Sequence, residues 1–174
     1  MQSLQPEQAA FLLQTILPTL RHEHQTTKTI IETLPVDKGD YRPDPIAKTA
    51  FELAWHVAAA ELSFIRAALT GEFKPGGPRP EEIRNTADVA RWYADAFEEK
   101  TSQLPAVPPA QLGQILDFRG IFKMPAVSFL DLGLRHSIHH RGQLSVYLRS
   151  MGARVPAIYG ESYDTAEARK AAQS

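Results

Sequence analysis

The stretch PAVSFLDLGLRHSIHHRGQLSVYLRSMG, residues 125–152, holds no proline after Pro125 and ends on a glycine, so it reads as one long helix stopped at Gly152. Three histidines fall within five residues of it, His136, His139 and His140. Helical residues four apart lie about 40° apart round the axis, so His136 and His140 project side by side. By angle alone His136 with His139, about 60° apart, is a rival pair. The stripe Phe129, Gly133, His136, His140 and Leu144, with Gln143, Tyr147 and Met151 beside it, is mostly apolar and favours His136 with His140 as a pair facing a core. Two imidazoles side by side in a core repel when protonated and lack partners when neutral, whereas a shared cation satisfies both. The spacing is that of a zincin-type pair without its glutamate.

Outward from this helix, apolar residues at helical spacing predict a first helix from Pro6 to about Leu34, kinked near Pro18. Residues 35–45, PVDKGDYRPDP, form a loop. A second helix is predicted from about Ile46 to Leu69, followed by the Pro- and Gly-rich link GEFKPGGPRP. A third is predicted from a capped start at Thr86 to Leu104, with Val89, Trp92, Tyr93 and Phe97 inward. LGQILDFRGIFK, residues 112–123, has no helical stripe and reads as a short extended or hairpin excursion. The final long helix is expected to begin near Pro125, and TAEARKAAQS closes the chain as an exposed turn or short helix. The expected fold is all-α: a single antiparallel four-helix bundle with long loops, spanning residues 1–174.

Composition narrows the function classes. The 174 residues suffice for one domain that buries roughly two-thirds of its unfolded surface. A net charge of -1, from 19 basic and 20 acidic residues, provides no field for a phosphate backbone, so nucleic acid is not an expected partner. No apolar run approaches the ~20 residues of a membrane span, and the N-terminus lacks a basic leader, so neither a membrane partner nor export is expected and the location reads as cytoplasmic. With no cysteine, any metal is held by His, Asp or Glu.

A third ligand has to come from another helix. His56 lies on the stripe Leu53, His56, Ala60, Phe64, Ala67 and is the only histidine of the second helix. Three imidazoles without an evident fourth ligand resemble a catalytic site with open positions more than a closed structural one. Glu52, one turn before His56, is a candidate fourth ligand, hydrogen-bond acceptor behind the ligands or general base, against the plainer reading of a solvated helix charge. Tyr147 is a second candidate proton carrier. His22 and His24, two residues apart, diverge round the first helix and read as solvated, with His22 a reserve ligand.

The runs AWHVAAAE (54–61), HSIHHRGQLSVYLRSMG (136–152) and PAIYG (156–160) resemble, in order and spacing, the DinB-like superfamily of metal-binding four-helix bundles. The resemblance covers nearly the whole chain. It implies a metal triad on His56, His136 and His140, which settles the choice between His139 and His140. It also implies a divalent ion, with Zn or Ni ahead of Fe or Mn, a homodimer, and kinship with transferases and isomerases that use a low-molecular-weight thiol. Arg141, Gly142 and Gln143 belong to the same motif; helix packing or a dimer seam is expected of them at least as much as substrate contact, with Gly142 admitting a neighbouring helix and Gln143 hydrogen-bonding beside the site. The functional expectation is a metal-dependent transferase or hydrolase acting on a small molecule through an activated water or thiol. The rival is a metal-binding stress-response or regulatory bundle without turnover.

Overall fold

Thr49 decides where the second long helix begins. Its hydroxyl accepts the Glu52 amide at 3.1 Å while the Glu52 carboxylate accepts the Thr49 amide at 2.8 Å, a reciprocal cap that fixes the first turn. In a computed structural model, which describes residues 2–173, that helix, α2, therefore spans Ala50–Thr70, and residues 46–49 lie outside it. The first helix, α1, spans Pro6–Thr33 with Pro18 inside it. The third, α3, spans Thr86–Thr101 and is capped by Asn85 with Asp88, one residue before the expected Thr86. A short helix α4 (Pro109–Gly113) precedes an antiparallel hairpin of β1 (Ile115–Phe118) and β2 (Phe122–Pro125), where a short extended or hairpin excursion was expected. Because β2 retains Pro125, the last long helix, α5, starts later than its sequence suggests and spans Ser128–Ser150, with Gly152 in the left-handed conformation at its stop. A terminal helix, α6, spans Tyr163–Ala171.

The four long helices close a ring in the order α1, α3, α2, α5. Contacts at their ends fix the directions. The Thr86 hydroxyl reaches the Leu34 carbonyl, and further along the same pair the His24 ring stacks on Phe97, so α1 and α3 run antiparallel. His56 meets His140 and Phe64 meets Phe129, so α2 and α5 are antiparallel too. Lys38, just beyond α1, donates to the carbonyl of Met151, just beyond α5, which makes α1 and α5 parallel; α2 and α3 are then parallel as well. The expected antiparallel bundle is thus realised as up, down, down, up. Parallel neighbours cannot be joined by a tight turn, so residues 71–85 return along the bundle's length as an extended link. No helix among the described residues is long and apolar enough to cross a membrane.

The approach of α2 to α5 is closest at Gly133. A Cβ built there would lie 3.0 Å from the Phe64 Cβ and 3.2 Å from its ring. Gly142, by contrast, has open space around it, so no helix of the same chain uses its missing side chain. Gly133→Val is therefore expected to cost about 1–3 kcal/mol in urea unfolding through overpacking. Gly142→Ala is expected to raise stability by about 0.4–1 kcal/mol, because helix propensity is the only term that changes.

Candidate metal centre

His56 from α2 and His136 and His140 from α5 point their Nε2 atoms at one spot. His56 Nε2 lies 3.1 Å from His136 Nε2 and 3.2 Å from His140 Nε2. The three residues form a group whose ligand atoms all lie within 4.8 Å of one another. Imidazoles holding an ion at ~2.1 Å have nitrogens about 3.0 Å apart at octahedral angles and about 3.4 Å at tetrahedral ones, so the spacing fits a common divalent cation. Burial, and then the charge each ring would place on its neighbour His140, holds His56 and His136 at about 4; burial also lowers His140. All three rings are consequently neutral near pH 7 and offer lone pairs. The His140 Nδ1 lies 2.7 Å from the Gln143 Oε1; as the donor in that bond it leaves Nε2 unprotonated toward the cluster.

His136 and His140 are only half-buried, because the inward centre of α5 is the line Gly133, Ser137, Arg141, Leu144 and Leu148. This offset opens the cluster onto a cavity of about 730 Å³, lined by His56 and His136. Its apolar wall is Trp55, Phe64, Phe73 and Phe118, with the Phe73 and Phe118 rings 4.5 Å apart. Phe73 comes from the link that parallel α2 and α3 require, and Phe118 from the hairpin. Sequence reading placed Phe64 on the stripe of His56 but singled out none of Trp55, Phe73 and Phe118, since the meeting of the last two depends on the path of two loops.

Among the other expected site residues, Glu52 lines the cavity but does not join the histidine group. The Thr49 amide, first among the causes, holds its carboxyl below the usual range. Tyr147 is not brought to the cavity: its hydroxyl donates to the Lys48 carbonyl at 3.1 Å, and its ring is buried edge-on to Tyr41. Gln143 does bond His140 beside the cluster, as expected. Arg141 does not line the cavity. It is 1% exposed, pairs with Glu23 at 2.6 Å and meets the Tyr159 hydroxyl, tying α1, α5 and the C-terminal tail together.

These features define a helical bundle that gathers three imidazoles beside a cavity of about 730 Å³. The sequence matches the DinB family over residues 7–172, and the chain belongs to that family. It is 29% identical over 136 residues to YjoA of Bacillus subtilis, an uncharacterized protein, covering 76% of this chain and 86% of that one. It is 30% identical over 117 residues to YrdA, an uncharacterized protein of the same organism, covering 64% and 66%. The crystal structure of a DinB-like protein from Bacillus cereus superposes with a TM-score of 0.70 at 26% identity, over 84% of this chain and 97% of the other. That of B. subtilis YjoA, DinB-like, gives 0.69 at 23% identity, over 85% and 99%.

A second polar cluster lies in the core. His24, expected to be solvated, is buried because the face of α1 that carries it meets α3; its ring lies 3.6 Å from that of Phe97. Burial lowers its pKa to about 3. Glu61 is fully buried, 4.0 Å from the His24 Nδ1, and burial raises it to about 8 although the Arg141 charge pulls the other way. Both groups are thus neutral at pH 7. His24 contributes stability that is present above 6.5 and lost as pH falls toward 3. Glu61 acts oppositely: the unfolded chain releases its proton near 4.5 and the folded chain only near 8, so stability declines as pH rises between them. In urea melts of metal-free protein, Glu61→Gln should therefore gain stability relative to wild type as pH rises from about 5 to 8; identical pH profiles would refute the assignment.

Proposed function

We propose that this protein is a metal-dependent enzyme, with a divalent ion held by His56, His136 and His140 and a small-molecule substrate in the adjoining cavity. The observation that carries the proposal is the convergence of three neutral imidazole nitrogens at the edge of a cavity of about 730 Å³, a size suited to a small organic ligand. An ion bound there supplies a Lewis acid that lowers the pKa of a water or a thiol for transfer or hydrolysis. Zn and Ni suit three imidazoles, with Fe or Mn as further occupants.

The protein's own groups divide the remaining work. Gln143 orients His140, and the capped first turn of α2 holds Glu52 ionised on the cavity wall. With its proton affinity reduced, Glu52 serves as a short-lived proton acceptor or as a charge facing the substrate. Tyr147 is a positioning residue that fixes the backbone of Lys48, a cavity residue, instead of a proton carrier. The aromatic wall excludes water from one side of the substrate. A low-molecular-weight thiol is the co-substrate to screen first, beside simple hydrolysis.

Metal analysis of tag-free protein tests the proposal. About one equivalent is expected in wild type and less than about a tenth in His136→Ala or His56→Ala, with any turnover abolished by a chelator and restored by the ion. Wild type that binds no divalent ion at micromolar concentration would sink it.

A further inference from the structure

The charge of the cavity is not that of the protein. The chain as a whole carries -1, yet the cavity is lined by four cationic side chains, Arg42, Lys48, Arg79 and Arg119, against one carboxylate, Glu52. None of the four cations forms a salt bridge with a carboxylate among the described residues. Arg42 donates to the Pro45 carbonyl, and the Arg79 guanidinium rests 4.3 Å over the Phe51 ring, which orients it without neutralising it. Glu52 is the partner within electrostatic reach of Arg42 and Lys48, and it is already engaged by the Thr49 amide.

Arg119 adds an independent observation. It and Gly120 are the two central residues of a turn closed by the Ile121 amide on the Phe118 carbonyl at 3.0 Å, inside the three-residue connection 119–121 of the hairpin, with φ of 57° and 75°. A turn with positive φ at both central residues favours Asn, Asp or Gly at the first of them, because other side chains crowd the backbone there. Arginine is the only non-glycine residue with positive φ among those described, and turn chemistry gives no reason for it. What the position does is carry a guanidinium to the cavity, next to the aromatic wall.

We propose that the cavity selects an organic anion with a flat apolar body: a carboxylate or phosphate group met by Arg42, Lys48, Arg79 and Arg119, and a ring or planar chain against Trp55, Phe64, Phe73 and Phe118. This deepens the proposed function and rests on it in one respect, that the cavity is the approach to the histidine cluster. The four cations come from three separate segments, residues 42–48, 79 and 119, so the anion-binding wall exists only in the folded chain. A neutral or cationic analogue would leave several like charges facing one another in a half-enclosed space. Bare acetate or phosphate would forgo the aromatic contacts.

Calorimetric titration of the folded protein at fixed ionic strength tests this, with 2-naphthoate, 2-naphthyl phosphate, 2-naphthamide and acetate as probes. Either naphthyl anion should bind at least about tenfold more tightly than the amide or acetate, and the preference between the two naphthyl anions tells carboxylate from phosphate. Arg119→Asn should weaken the naphthyl anion about fivefold while leaving the amide unchanged. The same substitution should not lower the melting temperature, since Asn suits the turn better than Arg; a residue of merely structural value would show the reverse. Arg79→Gln should weaken the anion by a similar factor. Equal binding of anion and amide, anion binding unaffected by both substitutions, or acetate binding as tightly as naphthoate would each overturn the proposal. Metal content measured on the same samples separates the two readings. Bound metal without charge selectivity removes only the anion proposal, and charge selectivity without bound metal removes only the metal-dependent enzyme.

Discussion

The close packing of α2 on α5 is the constraint from which the site follows. Gly133 lets the Phe64 side chain sit against the α5 backbone, and at that separation His56, two turns before Phe64 on α2, comes within 3.2 Å of both His136 and His140 through their Nε2 atoms. A larger residue at 133 would move the helices apart by a few tenths of an ångström or more, and a ligand set at these distances has little tolerance for that. The antiparallel course of the two helices does the rest, since the α5 turn from His136 to His140 then lies against His56 in the second turn of α2. Each histidine taken alone is unremarkable chemistry; their meeting is a property of the interface.

Topology supplies the cavity. Because α2 and α3 run parallel, the chain must travel the length of the bundle between them, and that link carries Phe73 and Arg79 past the histidine cluster. The hairpin before α5 contributes Phe118 and Arg119 from the other side. The interior of the bundle is meanwhile held by a different set of polar groups. Arg141 is buried against Glu23, Thr27 and Tyr159, an arrangement that satisfies the guanidinium and fastens the tail to two helices. Removing one partner of such a pair strands the other charge, so the network resists piecemeal change. Two kinds of polar group therefore sit one residue apart on α5: Arg141 faces the core and His140 the histidine cluster.

Much of this was legible in the sequence because it follows from helical periodicity. The four long helices, the break at Gly152, the triad of His56, His136 and His140 and the bond from Gln143 to a ligand all follow from spacing and the resemblance of the motif. The start of α2 was misplaced where the Thr49 cap competes with the apolar pattern, and that of α5 where Pro125 belongs to a strand instead of a first turn; α3 does begin at Thr86, with Asn85 as its cap. His24 was misread for a related reason. A sequence stripe does not say which flank of a helix is covered by a neighbour, and here α3 covers His24 while Lys48 takes the Tyr147 hydroxyl. The loops 35–45 and 71–80 read as the segments that shape specificity, and Phe64 fell on the His56 stripe, but the meeting of Phe73, Phe118 and the four cations was illegible, because the courses of the loops that bring them are set by the up, down, down, up order and by no local signal.

X-ray absorption at the metal edge of protein loaded with one equivalent of Zn or Ni tests the central claim most directly. The account predicts a first shell containing three imidazole nitrogens at about 2.0–2.1 Å, with the outer-shell scattering of three rings falling to two in His140→Ala. A shell of oxygen alone, or an imidazole count unchanged by that substitution, would contradict it.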